Sequence, residues 1–259
     1  MRNSHKNSQK YYVPALEKGL DILEALASSP VPQSLSELAH SMNRTSSELF
    51  RMLNALEQRG YIERDPLSGK YGLTLRLYEL AHTHSPVEKL LRATMIPMRA
   101  LAERVKESCH ISTLDNNRLV VLAQADSPEI FRFSVEVGSR FSPIHTASGR
   151  LLLAYLSEEE FRRFAETSEE YRRQSRAARK KLVARLEEIR RKGVSTAQNE
   201  PVIGVRSYAV LVGKPEINLT AAVAVASLDM RGKKNNSQQI LASLKEAAAE
   251  INRNIGLRL

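Results

Sequence analysis

SLSELAHSMNRTSSELFRMLNALEQRG, Ser34 to Gly60, predicts two short helices joined by a tight turn at Asn43-Arg44. Ser34 and Glu37 form an S-x-x-E capping box, and Thr45 and Glu48 a T-x-x-E box. In each, the hydroxyl accepts an orphan backbone N–H of the first turn while the carboxylate reaches back to the cap. Leu35, Leu38, Ala39 and Met42 recur at i, i+3, i+4 and i+7, and Leu49, Met52, Leu53 and Leu56 repeat that spacing. Each helix therefore carries one apolar stripe. On the second helix Ser47, Arg51, Asn54 and Gln58 lie opposite the stripe, with Phe50 on its flank. This is the outline of a helix-turn-helix, whose second helix enters a major groove. An ordinary helical hairpin with a solvated face would carry the same caps and stripes, so the pair needs its context.

The context follows at once. Gly60 suits a helix C-cap, and Tyr61–Arg64 and Lys70–Leu73 flank the turn-forming run Asp65-Pro66-Leu67-Ser68-Gly69. Two short strands around such a loop form a β-hairpin. A helix-turn-helix followed by a hairpin is a winged helix, and groove-docking logic makes it a DNA reader. On the recognition helix Thr45–Arg59, Ser47, Arg51 and Asn54 are the candidates for bases or phosphates. Thr45 and Ser46 would lie near the backbone, with Arg44 at the turn and Phe50 on the flank. Arg51 could grip guanine in bidentate fashion or point to phosphate. Arg64 and Lys70 on the wing would meet phosphates.

Composition bounds the rest. A chain of 259 residues makes one large domain or two smaller ones. A lone Cys109 excludes an intramolecular disulfide and suits a reducing compartment. No basic-then-apolar leader opens the sequence, and the apolar run Ile217–Leu228 is too short to span a bilayer. The expectation is a soluble, cytoplasmic protein with no membrane partner. The formal charge of +10 does not by itself argue for DNA, because residues 1–85 hold ten Lys/Arg against nine Asp/Glu. The excess lies in 86–259, concentrated in Arg162–Lys192. Such a run on an amphipathic helix is usually a solvated face, and a contact with DNA or an acidic partner is the alternative.

Taken in order, residues 1–12 form a polar tail expected to be disordered. Pro14 opens a helix whose expected core face is Leu16, Leu20, Leu23 and Ala27. A winged-helix domain over 13–75 and a connector over 76–89 come before a second domain over 90–259. Leu75, Leu77, Tyr78 and Leu80 give the connector an apolar face suited to a second subunit. A long helix runs from Val87 to Lys106. Strands are expected at His110–Leu114, Leu119–Ala125, Ile130–Val137, Val194–Thr196, Ser207–Val212 and Leu219–Leu228. Helices are expected at Thr146–Tyr155, from Ser157, over Arg173–Lys192 and over Gln238–Ile255. The fold class is α+β, an antiparallel sheet flanked by helices.

No catalytic constellation emerges. His145 and Ser148 lack a nucleophile elbow and an acidic partner nearby. Cys109 and His110 are adjacent on a strand and so point to opposite faces. His82 and His84 lack further ligands for a metal. The expectation is no enzyme, no cofactor and no metal.

ALEKGLDILEALA (Ala15–Ala27), the Ser34–Leu73 stretch, HTASGRLLLAYL (His145–Leu156) and Gly204-Val205-Arg206 together resemble the IclR family of bacterial transcription regulators, over nearly the whole chain from Val13. The resemblance implies a C-terminal domain related to the GAF sensor fold, with a pocket for a small effector on one side of its sheet. It implies a homodimer or homotetramer on a pseudo-palindromic double-stranded operator. Carried over by motif, the pocket takes backbone donors at Ala147 and Ser148, at a helix N-terminus suited to anions. The family's Asp position is Ala197, its Cys position Ser207, and its two strand Ser positions Ala224 and Ala226. Ile130, Phe133, Phe141 and Val205 would form an apolar wall, with His145, Arg150 and Arg206 the nearest candidates to meet a carboxylate. Three of four polar side chains are thus methyl groups, which predicts a larger, more apolar or aromatic acid as effector. A collapsed core without ligand is the bland alternative. A binding or assembly module using its winged helix for protein contacts is the functional one.

Overall fold

The computed structural model describes residues 13–82, 86–217, 219–228 and 236–257. The expected tail over 1–12 and His84 lie outside them. The chain divides into two compact units between Ser85 and Pro86.

The first unit comprises α1 (Pro14–Ala27), α2 (Leu35–Ser41), α3 (Ser46–Gln58), β1 (Ile62–Arg64), β2 (Tyr71–Leu73) and α4 (Arg76–His82). Both capping boxes are closed. The Ser34 N–H donates to Glu37 Oε2 at 2.6 Å and the Thr45 N–H to Glu48 Oε2 at 3.1 Å, each reciprocated by the cap hydroxyl. Asn43 makes the turn at φ +50°, a left-handed conformation that its short polar side chain tolerates. Ile22, Leu26, Leu38, Leu49, Leu53, Ile62 and Tyr71 form the core. The phase of α1 differs from expectation: Leu16 and Leu20 are exposed, and Ile22 and Leu26 point inward. The helix carries two adjoining apolar stripes, and its packing on α3 selects between them. The hairpin pairs Ile62 with Leu73 and Arg64 with Tyr71, while Tyr71 also exchanges two backbone hydrogen bonds with Gln33.

The second unit begins at Pro86, earlier than residue 90, because α5 (Pro86–Val105) belongs to it. There follow β3 (Cys109–Asp115), β4 (Arg118–Ala125), β5 (Arg140–Phe141), α6 (Ala147–Ala154), α7 (Glu158–Thr167), α8 (Glu169–Arg173) and α9 (Arg176–Lys192). The chain ends with β6 (Val194–Gln198), β7 (Val205–Lys214), β8 (Leu219–Leu228) and α10 (Ser237–Asn254). The strands form one antiparallel sheet in the order β5-β4-β3-β8-β7-β6.

The two faces of β8 organise the layers. Val223 and Val225 join Met98, Leu244 and Ile251 beneath α5 and α10. Ala222 and Ala224 join Leu151 and Leu186 on the other face, beneath α6 and α9. Methyl groups on that face let α6 approach the sheet closely. Gly149 on α6 is tight against the preceding loop, where a Cβ would lie 2.3 Å from Pro143 Cα. On the opposite side Pro97 sits inside α5 and cannot donate to the Ala93 carbonyl. Asn254 Nδ2 of α10 donates to that carbonyl at 3.2 Å instead, tying the two helices together.

Ile130–Val137 is not a strand. Alternation alone does not make one; a ladder partner is needed, and the free side of β4 is taken by Gly138, Ser139 and β5. The segment is held through side chains instead, with the Val135 N–H donating to Gln124 Oε1 at 2.5 Å and Ser134 Oγ to Asp126 at 2.9 Å. Among the described residues no helix is long and apolar enough to cross a membrane.

Candidate nucleic-acid interface and effector pocket

On α3 the burial of Leu49 and Leu53 turns Ser46, Ser47, Phe50 and Arg51 outward, with Asn54 half-buried beside them. Arg51 forms no ion pair among the described residues. The other predicted contact cations are partly committed. Arg44 lies 3.7 Å from Asp21, and Lys70 Nζ lies 3.2 Å from Glu37. Arg64 donates from Nε to the Gly69 carbonyl at 3.2 Å and lies over the Tyr71 ring at 5.6 Å. Arg64 and Lys70 therefore brace the wing as well as presenting positive charge on it. The loop is closed by Asp65, which accepts from the Ser68 N–H at 2.6 Å and the Ser68 hydroxyl at 2.7 Å, bonds that hold its carboxyl below the usual range. Thr45 is spent on the α3 cap.

In the second unit a cavity of about 70 Å³ opens between the N-terminus of α6, the sheet and the β6–β7 loop. Seven of the predicted pocket residues line it: Phe133, Phe141, Ala147, Ser148, Val205, Ser207 and Ala226. Three do not. Ile130 is 88% exposed, Ala224 is sealed in the core beneath α6, and His145 turns outward, its Nε2 3.2 Å from Glu170. Ala197 is likewise core. Arg150, offered as a carboxylate partner, is buried and already paired: Nη1 donates to the Ile144 carbonyl at 3.1 Å and lies 2.8 Å from Glu200. Burial, and then the nearby Arg185, pull its pKa down against the opposing effect of Glu200. Arg206 stands on β7 in register with Gln198 and Ser227.

The structure adds His110, Leu119, Val135, Thr146, Glu200, Pro201 and Val202 to the cavity wall. His110 was legible by parity, since it faces away from Cys109 and sits in register with Ala224. Glu200 and its neighbours arrive on a loop with no periodic signal. Desolvation lowers the His110 pKa to about 4, so the imidazole is neutral near pH 7 and offers one donor and one acceptor. Thr146 caps α6 through its hydroxyl, accepting from the Gly149 N–H at 3.1 Å. The N–H groups of Ala147 and Ser148 precede the point where intrahelical bonding begins, as at any helix start. The site is therefore a mostly apolar slot whose polar lining is His110, Thr146, Ser148, Glu200 and Ser207. Cys109 is buried on the opposite face, its thiol pushed up to about 12 by desolvation, and has no part in it.

Two models of known families match this chain: the IclR helix-turn-helix domain over residues 15–66, and the bacterial transcriptional regulator IclR C-terminal domain over residues 85–253. The chain belongs to the IclR family. The HTH-type transcriptional regulator KdgR of Escherichia coli K12 is 28% identical, covering 99% of this chain and 98% of that protein. XynR of the same organism is 25% identical, covering 94% and 98%. A transcriptional regulator of Rhodococcus sp. RHA1 shares the fold with a TM-score of 0.73 at 25% identity, covering 94% and 98% of the two chains. An IclR homologue of Microbacterium hydrocarbonoxydans, solved with 4-hydroxybenzoate, superposes with a TM-score of 0.74 at 21% identity over 93% and 98%. As an IclR-family member the chain is a transcriptional regulator and not an enzyme, with a DNA-binding helix-turn-helix unit and an effector-binding C-terminal unit.

Proposed function

We propose that this regulator binds its operator under the control of a small organic acid with a largely apolar or aromatic body. The observation that carries this is the lining of the cavity. Phe133, Phe141, Leu119, Val135, Val202 and Val205 supply apolar contact against a polar lining of His110, Thr146, Ser148, Glu200 and Ser207, and Ala226 stands where the resemblance implies a strand Ser. A compact keto acid or dicarboxylate exposes several acceptors that this wall would leave unpaired, at a cost of roughly 1–3 kcal/mol each. An aromatic acid needs donors at one end only. In this reading its carboxylate is served by Ser148, the start of α6 and neutral His110, which line the same cavity. The homologue solved with 4-hydroxybenzoate has a ligand of this class.

The recognition residues are Ser47, Arg51 and Asn54, with Ser46 and Phe50 beside them and Arg44, Arg64 and Lys70 at the margins. The regulator acts as a dimer or tetramer on a pseudo-palindromic site, since two copies of one reading head impose two-fold symmetry on the DNA they read. Effector binding shifts the population between states that hold the operator with different affinity.

The test is operator titration of the full chain with benzoate or 4-hydroxybenzoate against pyruvate or succinate. The aromatic acids should shift operator affinity, and Ala226→Phe, which fills the slot, should remove the shift while leaving unliganded DNA binding intact. A response to pyruvate or succinate but not to either aromatic acid would overturn the proposed effector class.

A further inference from the structure

A DNA-binding protein needs cations for phosphates, yet the first unit is poor in them. Residues 1–85 hold ten Lys/Arg against nine Asp/Glu. Of these, Lys18, Arg44, Lys70 and Arg76 are already in ion pairs. The positive charge lies in the second unit, and there it is arranged in an unusual way. From Tyr171 to Leu186 the sequence has seven Lys/Arg and no acid. Arg173 pairs with Glu169, Arg185 lies near Glu200, and Arg179 stacks over Tyr171 at 5.9 Å. The other four, Arg172, Arg176, Lys180 and Lys181, are exposed and have no ion pair among the described residues.

α9 begins at Arg176, which with Arg179 stands in a first turn holding no acid, at the positive end of the helix dipole. Lys180 and Lys181 lie in the next turn, and Arg172 lies in the last turn of α8, where a cation is favoured. α7, in the same unit, instead opens with Glu158, Glu159 and Glu160. Ser175 caps α9 and Arg190, Arg191 and Lys192 favour its other end. What sets this face apart is therefore a run of exposed cations with no acid between Tyr171 and Leu186, opposite in sign to a polyanion. The α9 end is also held rigidly. Tyr171 is buried against Phe161 and Phe164, and Leu182, Leu186 and Ile189 anchor the helix to the core. The cations therefore stand on elements packed into the core, with Arg176 in the first turn of α9.

We propose that this α8–α9 face is a second binding surface for the phosphate backbone of duplex DNA, separate from the recognition helix. The inference rests on the chain being a DNA-binding regulator. Duplex DNA presents one negative charge per roughly 1.7 Å of axis, a polyanion opposite in sign to this run of exposed cations. The contact is sequence-independent: it adds affinity and salt dependence, and leaves base choice to α3.

The experiment uses the full chain with Arg172→Gln, Arg176→Gln, Lys180→Gln and Lys181→Gln combined. A second variant exchanges the same charges, Arg172→Lys, Arg176→Lys, Lys180→Arg and Lys181→Arg. Both are titrated on the protein's own upstream region and on a random duplex of equal length, between about 50 and 200 mM salt. The neutral variant should show a shallower plot of log affinity against log salt on both duplexes, by about 0.9 for each phosphate left unneutralised, or roughly 2–4 in all. The ratio of specific to random binding should stay within about threefold, and the charge-exchange variant should match the unaltered chain. Unchanged slopes on both duplexes would overturn the proposal and leave an acidic protein surface as the partner to seek. If the charge-exchange variant fell with the neutral one, the loss would be structural, and that too would overturn it. An unaltered chain that bound neither duplex at low salt would remove the DNA-binding reading itself.

Discussion

At the residue scale the proposed recognition face turns on Arg51. It projects from α3 between buried Leu49 and Leu53, with no acid claiming it among the described residues. A bidentate base contact discriminates by about 1–3 kcal/mol. Arg51→Ala should therefore weaken specific operator binding about 10- to 100-fold while random-duplex affinity and thermal stability hardly move. Equal losses on both duplexes would place Arg51 on phosphate instead. The outward face of Arg51 was legible from the helical wheel because a wheel needs only the 3.6-residue period. His110 was legible in part, since strand parity sets its face but not what stands opposite. Ile130 was misread for a related reason: parity was applied to a segment with no ladder to enforce it.

At the scale of the element, the two capping boxes carry the start of α2 and α3. The Ser34 backbone and hydroxyl, then Lys70, lower the Glu37 pKa to about 2. Lys18, then Thr45, lower that of Glu48 to about 2. A carboxylate whose folded pKa is depressed stabilises the fold above its unfolded value of about 4.3, and that contribution is lost as pH falls towards the folded value. The winged-helix unit should thus lose stability between about pH 4.5 and 2. Replacing Glu37 and Glu48 by Gln should flatten this dependence, as chemical denaturation across that range would show. Ser34→Ala and Thr45→Ala should each cost about 1 kcal/mol near neutral pH. These caps were visible in the sequence because every partner lies within three residues. The burial phase of α1 was not, because two apolar stripes adjoin and only contact with α3 chooses between them.

At the scale of the whole molecule, one chain leaves apolar surface uncovered. Leu75, just before α4, is 74% exposed and Tyr78 on it 62%, with Leu77 and Leu80 also exposed. Leu16 and Leu20 on α1 add to it within the same unit. Covering such residues is worth about 25 cal/mol per Å², and a second copy is the partner that the proposed two-fold operator would require. Leu77→Glu with Leu80→Glu should lower the association state in sedimentation and weaken operator binding, while effector binding in the second unit persists. An unchanged sedimentation profile would move the subunit interface elsewhere.

The sequence by itself determined the winged helix, its caps and turn, and the α+β class of the second unit. All of these follow from local periodicity and capping chemistry. Tertiary structure decided which stripe of α1 is buried and that Ala224 belongs to the core while Ala226 faces the cavity. It also turned His145 outward to Glu170 and closed Arg150 onto Glu200. Those outcomes depend on which segment distant in the chain arrives opposite a given side chain, and no local pattern records that.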